Sequence, residues 1–329
     1  MSAEETAPYT GLTPDCVLDA LDSVGLRGDG RLLALNSYEN RVYQVWMEDG
    51  PALVAKFYRP ARWTDAQILE EHAFVADLAD ADIPAVAATA LTDARTLHAF
   101  SGFRFAAYPK RGGRAPELED RNTLKWLGRV IGRMHALGAQ QAFAHRPALT
   151  IASFGEESRD FLLAHGFIPT DLVDAYRSVV AQALDGIRHS FTRAGDVRTL
   201  RLHGDCHAGN VLWTDAGPHF VDFDDARMGP AIQDLWMLLS GDRSDMTRQL
   251  ADVLAGYDDF FEFDSSELHL IEALRTLRLI HYAAWLARRW HDPAFPAAFP
   301  WFNTQRYWQD RILELREQIA LMDEPPLPT

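Results

Sequence analysis

A chain of 329 residues, 47% hydrophobic and 24% charged, has apolar material for a sizeable core and length for two lobes, which excludes global disorder. Its formal charge of −15 opposes non-specific binding to nucleic acid or to an anionic membrane surface, so neither is expected as a partner. Cys16 and Cys206 form no disulfide framework, the N-terminus is acidic without a basic-then-apolar leader, and no apolar run approaches bilayer length; the expectation is a cytoplasmic protein.

Along the chain, Thr13-Pro14 opens a helix whose apolar face (Val17, Leu18, Leu21, Val24) ends at Gly25. Strands are predicted at 32–35, 41–47 and 52–57, with a turn at Glu48-Asp49-Gly50-Pro51, which sets Lys56 on a central hairpin strand. A helix from Thr64 carries the stripe Ile68, Leu69, Phe74, Val75 and Leu78 and stops before Ile83-Pro84. That helix holds Glu70 and Glu71, and Glu71 is the expected partner of Lys56 in an ion pair aiming the ammonium at the α- and β-phosphates of ATP. Taken alone, the two residues read as an exposed surface pair of small worth.

Segments 96–100 and 103–108 form a second hairpin around Ser101-Gly102, after which Pro109-Lys110-Arg111-Gly112-Gly113-Arg114 breaks regular structure. The lobe boundary is set here: 1–110 as a nucleotide-binding lobe including the N-terminal helix, 111–329 as a helical lobe with the catalytic loop and acceptor surface. Adenine is expected against the boundary segment, covered by Ala55, Val86 and Tyr108. Helical spacing then dominates, with Leu124, Leu127, Ile131 and Met134 on one buried face and a long helix from about 170 to 192.

The most informative stretch is His203-Gly204-Asp205-Cys206-His207-Ala208-Gly209-Asn210, followed by Asp222-Phe223-Asp224. Strands at 211–213 and 219–221 around the turn Asp215-Ala216-Gly217-Pro218 would fold Asp222 back beside Asn210. Hard Mg²⁺ suits carboxylate and amide oxygens and keeps several waters. In a phosphoryl transfer, Asp205 would take or orient the acceptor's hydroxyl proton, Asn210 would hold Mg²⁺, and Asp222 would bridge metal and ATP phosphates, with Asp224 in support. Each residue alone fits an ordinary turn, and His203 reads as structural. A transition-metal site at His203, Asp205, Cys206 and His207 is the competing reading, but neighbours in sequence do not readily converge on one ion. Cys206 adjoins a carboxylate, which disfavours its thiolate and a redox role. Farther on, Asp234 is expected to support the catalytic loop by accepting backbone N–H groups. The C-terminal aromatics, Trp285 to Trp308, suit either a helical core or a cage for a ligand cation.

Together these residues resemble the bacterial stress response kinase A group of serine/threonine protein kinases, within the aminoglycoside phosphotransferase and choline kinase-like superfamily. The likeness is carried by Leu35-Asn36-Ser37-Tyr38-Glu39-Asn40-Arg41-Val42-Tyr43-Gln44, Ile68-Leu69-Glu70-Glu71-His72, His203 through Asn210, Phe220 through Arg227, Gln233 through Leu239, Asp292-Pro293-Ala294-Phe295-Pro296 and Phe299-Pro300-Trp301-Phe302. The resemblance implies an α+β, two-lobed protein-kinase-like fold, with a small antiparallel β-sheet N-lobe carrying a Lys–Glu helix and a larger, mainly α-helical C-lobe. It also implies Asp205 as proton acceptor, Asn210 and Asp222 as Mg²⁺ ligands, Ser37 as an ATP contact and Lys56 as the ATP lysine. The implied partners are ATP and protein substrates bearing Ser/Thr hydroxyls, with autophosphorylation and a bacterial stress pathway; a monomer is expected, although the sequence does not name the oligomeric state. Asn36 through Asn40 stands where a glycine-rich phosphate loop would, and 222–230 is too short for a regulatory activation loop. The residues themselves do not distinguish a protein hydroxyl from a small amino alcohol or amino sugar, and a nucleotide-binding regulator without useful transfer is a third reading.

Overall fold

Thr13 and Pro14 start the first helix as their chemistry requires. The Thr13 hydroxyl accepts from the Cys16 amide, and proline occupies a first-turn position where its missing N–H costs nothing, giving α1 (Pro14–Asp22). In this computed structural model, which describes residues 7–91 and 93–328, the chain gathers into two units. One comprises the chain up to Glu117 with Phe143–Arg146 and His207–Ala226; the other comprises Leu118–Ala142, Pro147–Cys206 and the chain from Arg227 onward.

The first unit carries an antiparallel sheet of β1 (Gly28–Ala34), β2 (Arg41–Met47), β3 (Leu53–Phe57), β4 (His98–Phe100) and β5 (Phe103–Pro109), in the order β1-β2-β3-β5-β4. Strand β3 is central, and Lys56 lies between Val42 of β2 and Ala106 of β5. Side chains alternate along β3: Leu53, Ala55 and Phe57 turn into a core with Val17 and Leu21 of α1, and Val54 and Lys56 take the other face. This parity corrects the expected placing of Ala55 beside Lys56's cavity, since a strand that turns Lys56 to one face turns Ala55 to the other, into the core. Strand β1 starts at Gly28, earlier than the sequence suggests, because pairing with β2 continues across an irregularity between Gly28 and Leu32. The β4–β5 turn has both Ser101 (φ 47°) and Gly102 (φ 84°) in the left-handed region favoured by tight hairpins.

Helix α2 (Asp65–Asp80) opens on a capping box in which Thr64 and Gln67 satisfy each other's amides. Its buried stripe is Ile68, Phe74, Val75 and Leu78, with Glu71 and His72 on the same face. Leu69, expected on that stripe, is 45% exposed, because helical geometry puts its neighbour Ile68 inward instead.

The second unit is mainly helical: α3 (Arg121–Gly138), α4 (Glu157–Ala164), α5 (Val173–Ala194), α6 (Ile232–Trp236), α7 (Arg243–Tyr257), α8 (Ile271–Arg288), α9 (Ala294–Ala298) and α10 (Gln305–Asp323). A short ribbon pairs Leu200–Leu202 with Arg227–Gly229. Leu124, Leu127, Ile131 and Met134 form the buried face of α3, as their spacing predicts. Of the C-terminal aromatics, Phe295, Phe302 and Trp308 are buried, and Trp308 meets Tyr176 of α5 edge-on at 5.5 Å, a packing core. Among the described residues, no helix is long and apolar enough to cross a membrane.

Helices α3 and α7 approach backbone to backbone through glycine. A Cβ on Gly128 would lie 2.0 Å from the Val253 carbonyl oxygen, and one on Gly256 would lie 2.0 Å from that of Lys125. Replacing helical glycine with alanine ordinarily stabilises by up to about 1 kcal/mol. Gly128→Ala is expected to do the reverse, losing about 1–3 kcal/mol in urea unfolding, because carbonyl oxygens in packed helices cannot retreat. Gly186→Ala is the control: its Cβ would meet only the flexible side chain of Met322, nearest at Cε, 2.9 Å, and its stability should hold or rise. Equal stability of Gly128→Ala and the parent would refute the close approach.

Candidate active site

The hairpin of Val211–Thr214 and Gly217–Phe220 pairs Val211 with Phe220, so one step outward the Val221 amide donates to the Asn210 carbonyl at 3.0 Å. Asp222 follows immediately, and its side chain shares with that of Asn210 the lining of a cavity of about 360 Å³ in the first unit. Ser37, Lys56 and Glu71 line the same cavity, with Val42, Val54, Val86, Tyr108 and Leu212 as apolar cover. A space of this size with a few convergent polar groups is typical of a small-ligand site. Of the three residues expected to cover adenine, Val86 and Tyr108 line this cavity; Ala55 does not, and its neighbour Val54 does.

Asp222 has φ 61° and ψ 60°, a left-handed conformation that non-glycine residues rarely adopt. The following turn is held from two sides. Phe223 is buried edge-on against Phe74 of α2, and the buried Arg146 donates from Nη2 to the carbonyls of Phe223 (3.3 Å) and Asp224 (3.0 Å). Glu70 in turn anchors the segment bearing Arg146, its carboxylate accepting from the amides of Ala144, His145 and Arg146.

Lys56 makes its ion pairs with Asp222 (2.9 Å) and Asp224 (3.3 Å), so the expected Lys56–Glu71 pair is not formed. Burial pulls the ammonium's pKa down, but Asp222 and Asp224, aided by Tyr108 and Glu71, outweigh it and hold Lys56 well above its ordinary value. Asp224 is 5% exposed at its side chain and also pairs with Arg62; burial opposes its ionisation, but Arg62 and Lys56 prevail and keep its carboxyl below the usual range. Glu71 is left without such support. Burial raises it to about 7 against the pull of Lys56 and Arg146, and no donor among the described residues reaches its Oε2.

The loop from Asn36 to Asn40 is fixed by side chains instead of glycine. Ser37 Oγ donates to the Asn40 carbonyl (3.2 Å), Asn40 Oδ1 accepts the Arg59 amide (3.1 Å), and the Tyr9 hydroxyl donates to the Glu39 carbonyl (2.9 Å). The Glu39 carboxylate meets Arg59 at 3.1 Å and Arg62 at 3.7 Å, and Arg62 continues to Asp224 and, at 2.8 Å, to Asp225. A line of alternating charges thus joins this loop to the turn after Asp222.

In the second unit, the fully buried Asp234 accepts from the amides of His203 (2.8 Å) and Gly204 (2.9 Å), the support role read from its sequence position. His135 Nε2 lies 3.2 Å from the same carboxylate, and Gln233 Nε2 donates to the Gly204 carbonyl at 3.2 Å. His203 Nδ1 accepts the Asp205 amide at 3.3 Å, consistent with a structural histidine. Cys206 is buried; desolvation first, then Asp234 and Asp205, push its thiol well above the ordinary value, so it is no ready nucleophile. The Asp205 carboxylate meets Nη1 of Arg278 on α8 at 2.6 Å.

Arg62, Arg146 and Arg278 were not anticipated, since arginines distant in sequence carry no local mark of their partners. Glu70 left one clue, its position on α2 beside the Glu71 that was chosen. As a metal site, the donors in the cavity are hard oxygens, the amide of Asn210 and the carboxylate of Asp222, whose side chain stays 54% exposed despite Lys56. That set fits Mg²⁺, which takes few protein ligands. Among the described residues, no group of three or more His, Cys, Asp or Glu is arranged to hold a metal ion, as a tetrahedral zinc site would need.

Residues 31–270 match the family described as "Phosphotransferase enzyme family". Over 319 residues the chain is 46% identical to the stress response kinase A of Escherichia coli (strain K12), covering 97% of this chain and 96% of that one. It is 45% identical, over the same shares, to the serine/threonine protein kinase RdoA of Salmonella typhimurium (strain LT2). Among solved structures it is similar to amicoumacin kinase hAmiN in complex with AMP-PNP, Ca²⁺ and Ami, with a TM-score of 0.72 at 20% identity over 93% of this chain and 92% of that one, a likeness of fold.

Glu71 provides a pH test of this geometry. Its carboxyl keeps a proton up to about pH 7 in the folded chain and only to about 4.5 when unfolded, so folded protein binds more protons between those values and stability falls as pH rises through them. Glu71→Gln abolishes this dependence. It should unfold like the parent near pH 5 and be the more stable by up to about 3 kcal/mol above pH 8, read as the difference of urea midpoints. A difference independent of pH would mean that Glu71 is not desolvated.

Proposed function

The chain belongs to the phosphotransferase enzyme family, and within it to the stress response kinase A group, and from that premise we propose an ATP- and Mg²⁺-dependent serine/threonine protein kinase. The observation that carries this reading is the convergence of Ser37, Lys56, Asn210 and Asp222 on one cavity of the first unit, apolar enough for a base and polar enough for phosphates. Lys56 supplies the cation for the α- and β-phosphates, and Ser37 a hydroxyl from the loop that covers them. A magnesium ion held by Asn210 and Asp222 would neutralise charge on the phosphate oxygens.

Asp205 precedes Asn210 on the same loop and is the proton acceptor. The acceptor's oxygen forms the new bond to the γ-phosphorus, the bond between that phosphorus and the β,γ-bridging oxygen breaks, ADP leaves, and the hydroxyl proton passes to Asp205. Its loop is stiffened for this task by Asp234, which fixes the two amides before it. The acceptors are Ser/Thr hydroxyls of proteins in a bacterial stress response, a reading supported by the names of the two relatives, and the proposal extends to this chain's own hydroxyls and to a cytoplasmic location.

With labelled ATP and Mg²⁺, the parent should label itself and proteins of a matched lysate on Ser/Thr. Asp205→Ala should cut transfer by about a hundredfold or more while nucleotide affinity holds, the loss typical of one preorganised catalytic group. Asp222→Asn should weaken nucleotide binding in the presence of Mg²⁺ as well as transfer. ATP turnover that requires one small metabolite and labels no protein would overturn the protein acceptor. Parent transfer no faster than that of Asp205→Ala would overturn catalysis altogether.

A further inference from the structure

Helix α8 runs against the charge of the chain. The protein carries −15 overall, yet α8 contains Arg275, Arg278 and Arg288 and a single carboxylate, Glu272, already held by Arg275 at 2.9 Å. Arg278 is left as the cation that reaches the proposed proton acceptor, with Nη1 2.6 Å from Asp205 Oδ1. Its side chain is 41% exposed against 24% for Asp205, so the guanidinium covers the carboxylate and still faces solvent. One N–H is used in this contact, and no other acceptor among the described residues takes the rest of its five donors. A hydroxyl brought to Asp205 must therefore arrive beside a half-exposed fork of unused donors with a fixed positive charge.

We propose that Arg278 is a positioning and specificity-determining residue that holds the Asp205 carboxylate and selects Ser/Thr hydroxyls set among acidic side chains. This rests on Asp205 being the proton acceptor. Carboxylates flanking the acceptor residue complete the guanidinium's hydrogen bonding and take a charge-assisted, often bidentate geometry that a lysine could not reproduce. Ammonium groups in the same position meet a like charge that the helix does not offset, which is discrimination by repulsion as well as by attraction. The same argument sets the site apart from one built for amino alcohols or amino sugars, whose cation would need carboxylates here.

Two matched peptide libraries, each with one fixed Ser and flanking positions biased to Glu or to Lys, test the proposal on the full-length protein with Mg²⁺ and labelled ATP. The parent is expected to prefer the acidic library by about tenfold or more in kcat/KM. Arg278→Ala should bring the ratio to within about threefold of unity, Arg278→Lys should retain the part of the preference that comes from charge alone, at lower kcat, and Arg278→Glu should reverse it. The KM for ATP should stay within about twofold in all four proteins, which also reports that the variants are folded. Equal use of both libraries by the parent, persistence of the acidic preference in Arg278→Glu, or loss of preference in Arg278→Lys equal to that in Arg278→Ala would overturn the proposal while leaving a protein kinase standing. Labelling of neither library together with phosphorylation of a small amino alcohol would overturn both.

Discussion

A lysine on the central strand of a sheet, buried and still charged, must be surrounded by anions, and this requirement organises the first unit. Removing one member of a buried ion pair typically costs about 3–5 kcal/mol, because the partner is left desolvated and alone. Lys56 meets the requirement with Asp222 and Asp224 from a hairpin far away in sequence, so the strand, the hairpin and the left-handed turn at Asp222 are fixed by a single electrostatic demand. Asp224 is itself buried and is neutralised in part by Arg62, which carries the same demand outward to Glu39 and the loop holding Ser37.

That chain of charges explains how the loop from Asn36 to Asn40 dispenses with glycine. A glycine-rich loop gains close backbone approach at the cost of order, since glycine loses more conformational freedom than any other residue when fixed. Here Tyr9, Asn40, Arg59 and Arg62 do the fixing by the chain's own hydrogen bonds and ion pairs. Such a loop is preorganised, and the entropy that a flexible loop would lose on binding is already spent in folding.

Features legible from the sequence were the local ones. The cap at Thr13, the five-residue interval from Asp205 to Asn210 and the hairpin that returns Asp222 to Asn210 all depend on neighbours in the chain, and the change of period marks a strand-rich part followed by a helical one, while the kinase-like fold rests on the family resemblance. Parity along β3 is equally legible, since a strand that sends Lys56 one way sends Ala55 the other, and Ala55 accordingly packs in the core. The partner of Lys56 is hidden from the sequence for a different reason. Glu71 is on a helix well placed to offer a carboxylate, but two aspartates from the hairpin compete and win, and nothing in the local spacing ranks them. Arg146 and Arg278 were invisible for the same cause: both act on groups distant in sequence, and an arginine's reach is decided by the packing beneath it.

The first unit is also discontinuous. Val86 donates to the Phe220 carbonyl and Arg114 exchanges backbone hydrogen bonds with Trp213, so the first unit is complete only when residues 207–226 have been made. At the usual pace of about 5–20 residues per second, a ribosome needs on the order of ten seconds to travel from the end of the first segment to that hairpin. During this interval the nascent N-terminal half exposes an ammonium with neither of its aspartates and an apolar wall with no facing hairpin. Folding on the ribosome must therefore wait for the later segment, and an N-terminal fragment ending before it would be an incomplete body instead of a detachable domain.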